Sequence, residues 1–140
     1  MSFETDPRLL AHSVALAPMP LCDVRLQDDG RFAWLVLIPR VVGATELDDL
    51  SRDQRIALMD DVTRAAEMVR DLGRAMGRPV EKLNVAALGN VTAQLHVHVV
   101  GRRRDDPLWP DPIWGRGEAL RLGEAELARL ARGLEPSAGV

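Results

Sequence analysis

The sequence predicts an α+β domain built around an antiparallel sheet, and three observations carry that prediction. Patterned segments run in the order helix, hairpin, helix, hairpin, helix, whereas a parallel sheet would need strands and helices in strict alternation. Neighbouring strand-like runs are separated only by short stretches of turn residues, too short for crossover helices. At 140 residues the chain has room to bury a real core but not for two independent ones, so residues 1–140 are read as one domain with a loose end at about 135–140.

Each element follows from local pattern. "TDPRLLAHSVALAP" reads as a first helix carrying His12: Asp6 can cap free N–H groups, Pro7 suits the first helical position and Pro18 ends the run. Residues 21–26 alternate apolar and polar, "QDDGR" supplies a turn, and "FAWLVLIP" is a dense apolar strand stopped by Pro39. The clearest helix is "DLSRDQRIALMDDVTRAAEMVRDLGRAMG". Ser51 and Gln54 form a capping box, and Leu58 or Met59, Val62, Ala66, Val69, Leu72 and Met76 recur every three or four residues, with the methionines as core filler. "EKLNVAALGNVTAQLHVHVVGR" gives two more strands, joined near Gly89-Asn90 by a tight or slightly bulged turn. A Pro- and Trp-bearing loop, "DDPLWPDPIWGRG", precedes a short terminal helix in "GEAELARLARGL".

Composition narrows the function classes. Eighteen Lys and Arg against 21 Asp and Glu leave a net charge of −3, with both signs spread along the chain. There is no broad electrostatic footprint for a nucleic-acid polymer or an anionic membrane, so an anionic ligand has to be met by a local site. The single cysteine, Cys22, excludes an intrachain disulfide and a cysteine-rich zinc site, and is expected to be buried. "MSFETDPRLL" lacks a basic segment followed by an apolar one, and no apolar run approaches the roughly 18 residues that span a bilayer; a cytoplasmic protein without a membrane partner is expected.

The chemistry concentrates in "AQLHVHVVGRRR", residues 93–104. On a strand, Leu95, Val97 and Val99 share the core face, while Gln94, His96 and His98 stand in a row on the other at about 6.5 to 7 Å spacing. One phosphate can touch two or three side chains so placed. Three readings are open on spacing alone. The imidazoles can be hydrogen-bonded core residues; they can be the start of a zinc or iron site, which would need a third ligand from His12 or a carboxylate; or one can attack phosphorus while its neighbours stabilise the oxygens.

"KLNVAALGN" followed by "QLHVHVVGR" resembles the signature of the histidine-triad superfamily of nucleotide hydrolases and transferases. "WLVLIPR" is similar to that family's strand ending in Ile-Pro-Lys, and "LWP" follows at the family's distance; the likeness spans roughly residues 20–115. It is most like a bacterial branch with Gln at the first triad position and a "Trp-Pro-x-Pro-x-Trp-Gly" loop. The resemblance implies an antiparallel sheet of about five strands with a long helix and shorter terminal helices, pairing with its twin into a homodimer. It implies substrates in which a nucleoside monophosphate is joined to a leaving group, and no metal or cofactor. Carried over by position, His96 falls on the nucleophile, His98 on the phosphate-contacting histidine, and Asn84 and Asn90 on amides that line the phosphate site. Trp109 falls on a loop residue that approaches the partner subunit's site in some relatives. Asp28, with Asp23 and Asp29 as alternatives, is the candidate for the ribose hydroxyls.

Departures from the family pattern bear on mechanism. Gln94 replaces the first histidine, Val91 stands where a hydroxyl residue is common, with Thr92 beside it, and Trp34 and Val41 stand where histidine is common. A glutamine amide donates a hydrogen bond but cannot give up a proton near pH 7. The expected consequence is a preference for leaving groups that depart as anions, such as those of dinucleoside polyphosphates. The alternative is a nucleotide-binding or sensing protein without efficient turnover. Arg102, Arg103 and Arg104 either extend the phosphate site or form an exit turn paired with Asp105 and Asp106. Trp109 and Trp114 either stack on a base, cross a dimer interface or pack within their own loop.

Overall fold

A computed structural model describes residues 2–136. Its core is a five-stranded antiparallel sheet in the order β1-β2-β3-β5-β4, formed by Ser13–Ala15, Cys22–Gln27, Ala33–Pro39, Val97–Arg102 and Lys82–Ala86 respectively. The long helix α2, Arg52–Ala75, and the terminal helix α3, Glu124–Leu134, cover one face. Ser51 accepts from the Gln54 N–H while Gln54 returns the bond to Ser51 N–H, so the capping box sets the start of α2.

Alternation decides what each sheet face buries. Cys22, Val24, Leu26, Leu35, Leu37, Val97 and Val99 point into the core beneath α2, meeting Leu58, Ala65, Met68, Val69 and Leu72. Val62, Ala66 and Met76 are half-buried at its margin. Met59 is 62 % exposed, so the methionines divide between core and surface. Asp61 is buried and accepts from the N–H groups of Leu21 and Cys22 at 3.0 and 2.9 Å, tying α2 to the start of β2. Burial and Asp61 together push the Cys22 thiol well above its ordinary pKa, so it is inert. Gly101 is required where β5 passes under α2: a Cβ there would lie 2.5 Å from Val80 Cγ2.

Two expected elements differ. The first helix, α1, is only Pro7–Leu10; it ends in a turn through His12, whose φ is 59°, and residues expected to continue it form β1 against β2. "SVA" fits a strand as well as a helix, and the ladder to Arg25, Leu26 and Gln27 supplies what local propensity cannot. His12 therefore lies in a turn, not on a helix. β4 and β5 are not joined by a tight hairpin at Gly89-Asn90 but by the ten-residue loop 87–96. Leu95 is drawn to the Ala44 carbonyl, 3.0 Å from its N–H, which holds the loop open. Within it Gly89 has φ +71°, a conformation that favours glycine. The loose end expected from residue 135 lies, beyond Pro136, outside the described residues. Among the described residues no helix is long and apolar enough to cross a membrane.

Candidate functional site

The sheet face turned away from α2 carries the second apolar layer. Phe32, Trp34, Val36, Ile38 and Val100 are roofed by Ile113, Leu108 and Trp114 from the Trp-bearing loop and by Phe3 and Leu9 from the N-terminal segment. His98 stands on this face, between Val36 of β3 and Ala86 of β4, with Trp34 two residues before Val36. Its ring lies 5.7 Å from Trp34, 5.4 Å from Trp114 and 5.0 Å from His96, measured between centroids. Leu95, Val97 and Val99 point into the main core, as the alternation required.

The two imidazoles are held in opposite tautomers. His96 Nδ1 is 2.7 Å from the carbonyl oxygen of Gln94. A carbonyl can only accept, so Nδ1 carries a proton, and in the neutral imidazole the lone pair is then on Nε2. His98 Nδ1 is 3.1 Å from Trp34 Nε1. An indole N–H can only donate, so His98 Nδ1 accepts and the proton sits on Nε2. Burial, reinforced by His96, lowers the His98 pKa to about 4. At neutral pH the pair thus offers one nucleophilic nitrogen and one neutral N–H donor, a combination suited to attack on phosphorus with stabilisation of a non-bridging oxygen.

Gln94 is oriented by a different partner. Its Oε1 accepts from Asp6 N–H at 2.8 Å and its Nε2 donates to the Glu4 carbonyl at 2.8 Å. The backbone partners fix which amide atom is which, because one can only donate and the other only accept. Arg8 Nη1 adds a bond to the Val91 carbonyl at 3.2 Å.

An open cleft of about 410 Å3 lies beside the imidazoles, lined by Leu88, Gly89, Asn90, Val91, Thr92, His96, His98, Trp114 and Gly115. A second cleft of about 210 Å3, bearing Thr45, Glu46, Leu47 and Asp48, shares Leu88, Gly89 and His96 with it, so the groove continues past His96 on both sides. Among the described residues no three His, Cys, Asp or Glu side chains converge as metal ligands.

The other expected site residues divide. Asn90 lines the larger cleft beside His96 and His98. Asn84 does not: its Oδ1 accepts from Arg102 Nη1 at 2.9 Å. Arg102, 1 % exposed, makes a two-point pair with Asp106, bonds the Asp111 carbonyl, and lies over the rings of Phe32 and Trp109 at 5.5 and 5.6 Å. Trp109 therefore roofs an arginine rather than the cleft. Arg103 pairs with Asp105 and Arg104 with Glu81, so the three arginines brace the exit of β5, and Arg102 does so buried rather than solvated. Burial pushes the Asp106 carboxyl up, but bonds from Arg102 and the N–H groups of Arg103 and Leu108 outweigh it and hold the pKa low. Asp28 is tied to the Leu122 N–H at 2.7 Å in the β2–β3 turn, Asp29 to Arg31 and Asp23 to Arg40. None of the three lines either cleft.

The HIT domain family profile matches residues 10–105. The chain belongs to the HIT, or histidine triad, family. Three solved histidine triad proteins are similar over nearly their whole length. That of Sinorhizobium meliloti is 36 % identical with a TM-score of 0.84, covering 94 % of each chain. That of Marinobacter aquaeolei is 34 % identical with a TM-score of 0.88, covering 97 % of this chain and 96 % of its own. That of Bradyrhizobium japonicum is 32 % identical with a TM-score of 0.87, covering 96 % of each. No curated protein matches the chain. For a HIT protein, nucleotide binding or nucleotide hydrolase and transferase chemistry is the activity class that membership supports.

Trp34 and Glu46 with Asp48 were not among the residues the sequence pointed to as site-forming, and Trp114 was, only as one of three alternatives. Trp34 was visible as a departure from the family pattern, but its bond to His98 depends on the β3–β5 register. Trp114 carried a weaker signal still, since its place against His98 depends on how the 103–117 loop closes over the sheet.

Proposed function

We propose that the protein is a nucleotide hydrolase or nucleotidyl transferase acting at the α-phosphorus of a nucleoside monophosphate joined to a leaving group, through a nucleotidyl-His96 intermediate. The observation that supports this most strongly is the pair of opposite tautomers. His96 Nε2 has a free lone pair beside an open cleft, and His98 Nε2–H is a neutral donor next to it.

In the proposed reaction His96 Nε2 attacks phosphorus, an N–P bond forms, and the P–O bond to the leaving group breaks with its electron pair on that oxygen. Water then attacks the same phosphorus, loses a proton and displaces His96, or an acceptor nucleotide does so in a transfer. Two inversions retain configuration. His98 and Asn90 donate to the equatorial oxygens; losing one such donor typically costs about 10² to 10³ in rate. The groove on both sides of His96 suits a substrate with two halves.

Gln94 has no titrating proton, and His98, with its pKa near 4, is already neutral at pH 7. Neither supplies a general acid, which is worth about 10² to 10⁴ for an amine or alkoxide leaving group. Dinucleoside polyphosphates are therefore the proposed substrate class, ahead of phosphoramidates. A homodimer is part of the proposal: β4 is an edge strand with Val85 52 % exposed on it, and an unpaired edge is a template for a second copy. A cytoplasmic location with small-molecule partners completes it.

The same lack of an acid favours a second reading, a nucleotide-binding protein with negligible turnover. Incubation with a dinucleoside polyphosphate and with an adenosine phosphoramidate, followed by product analysis, separates the readings. Faster release of nucleoside monophosphate from the polyphosphate is expected. Faster phosphoramidate cleavage overturns the leaving-group argument, and tight binding without product makes the protein a binder.

A further inference from the structure

One residue touches both the proposed nucleophile and a segment about ninety positions away in sequence. The backbone carbonyl of Gln94 holds His96 Nδ1–H at 2.7 Å, and its side-chain amide holds Glu4 and Asp6 at 2.8 Å each. Residues 3–9 are otherwise fastened lightly. α1 is a single turn, Asp6 caps it through Arg8 N–H, and Phe3 and Leu9 are only partly buried against the layer that contains Trp34 and Trp114. A turn that short has no stability of its own. Ser13 and Arg25 hold its C-terminal end through the Leu9 and Leu10 carbonyls, so the position of residues 4–6 ahead of it depends on the Gln94 amide, the Arg8 bond to Val91 and those two apolar contacts.

We propose that Gln94 is a positioning residue: it clamps residues 4–6 against the site and, through its own backbone, fixes the orientation of the His96 ring. The first triad position in this chain then acts not by donating to the leaving group but by making the nucleophile's geometry depend on a docked N-terminal segment. Removing the amide frees the segment. The Gln94 backbone relaxes, and His96 loses the constraint that directs Nε2 into the cleft. A misplacement of about 1 Å at a reacting group can cost about 10²-fold. The cleft walls at residues 88–90 and 92, Trp114 and His98 bond neither this amide nor Arg8, so substrate affinity, apart from the contribution of Val91, is expected to survive. The kinetic consequence rests on the proposed reaction; the coupling between segment and imidazole does not.

Gln94→Met keeps the length and shape of the side chain and removes both bonds. A chain lacking residues 2–6 removes both partners instead. In Gln94→Met the Asp6 amide is expected to exchange with deuterium about tenfold faster, as two lost hydrogen bonds predict, and the His96 ring 15N resonances to move toward mixed tautomers. kcat for dinucleoside polyphosphate cleavage is expected to fall about tenfold or more with KM within about twofold. Truncation is expected to produce the same change in the His96 resonances, and the two changes combined to add nothing further, because they break one linkage. If the Asp6 amide and the His96 resonances in Gln94→Met match those of the unaltered protein, or if the two changes add independently, the proposal is wrong. If the unaltered protein turns nothing over while the resonances respond as described, the coupling stands and the proposed reaction fails.

Discussion

The two faces of the sheet are built by different means. Against α2, Leu35, Leu37, Val97 and Val99 are buried by side chains that need only be apolar and of suitable volume. On the opposite face the imidazoles are held by directed bonds: Trp34 to His98, the Gln94 carbonyl to His96, and the Gln94 amide to Glu4 and Asp6. The first face specifies the fold, and the second specifies two tautomers. A change on the first should register in stability, and a change on the second in chemistry.

That division can be broken or sharpened by experiment. The largest effect is expected from His96→Ala, which removes the proposed nucleophile: turnover should fall by roughly 10⁴-fold or more while the thermal midpoint stays close to that of the unaltered protein. Undiminished turnover in steady-state assays removes the nucleophile assignment. Leu35→Ala on the core face should do the reverse. Denaturant unfolding is expected to show a loss of about 3 kcal/mol, with kcat per folded molecule unchanged; a selective loss of kcat would erase the distinction between the faces.

His98 joins the two sides through pH. Its folded pKa is depressed, so between about pH 6.5 and about pH 4 the unfolded chain takes up a proton that the folded site does not. Stability should be fully present above pH 6.5 and fall by on the order of 3 kcal/mol as pH drops to 4. His98→Gln, which does not titrate, should remove one proton from that slope. An unchanged slope would mean His98 is not the group concerned. The smallest effect is expected from Trp34→Phe, which keeps the ring and deletes one N–H. Stability should fall by about 1 kcal/mol, kcat by about tenfold, and the His98 15N spectrum should show both tautomers. A spectrum still showing Nε2–H alone would relieve Trp34 of its role.

The core face was legible in sequence because it obeys a period. Alternation assigned Leu95, Val97 and Val99 to the interior, and the Ser51–Gln54 box marked the start of α2. β1 was not legible, because "SVA" takes its structure from β2. The hairpin expected at Gly89-Asn90 failed for a related reason: the Leu95 bond to Ala44 comes from a loop fifty residues earlier. Of the site, His96, His98 and Asn90 come together at the larger cleft as their positions implied. Asn84, Asp28 and Trp109 do not line it, since each is held by a residue that no spacing rule connects to it: Arg102, Leu122 and again Arg102. Gln94 stands beside His96, but its side chain answers to residues 4 and 6, and a contact of that separation leaves no trace in local pattern.

Trapping the intermediate tests the central claim most directly. Protein quenched in acid-free denaturant during turnover of a diadenosine polyphosphate should carry the added mass of one adenylyl group on the peptide containing His96, and none in His96→Ala. An active enzyme with no adduct at any quench time, or with the adduct on another residue, would contradict the account.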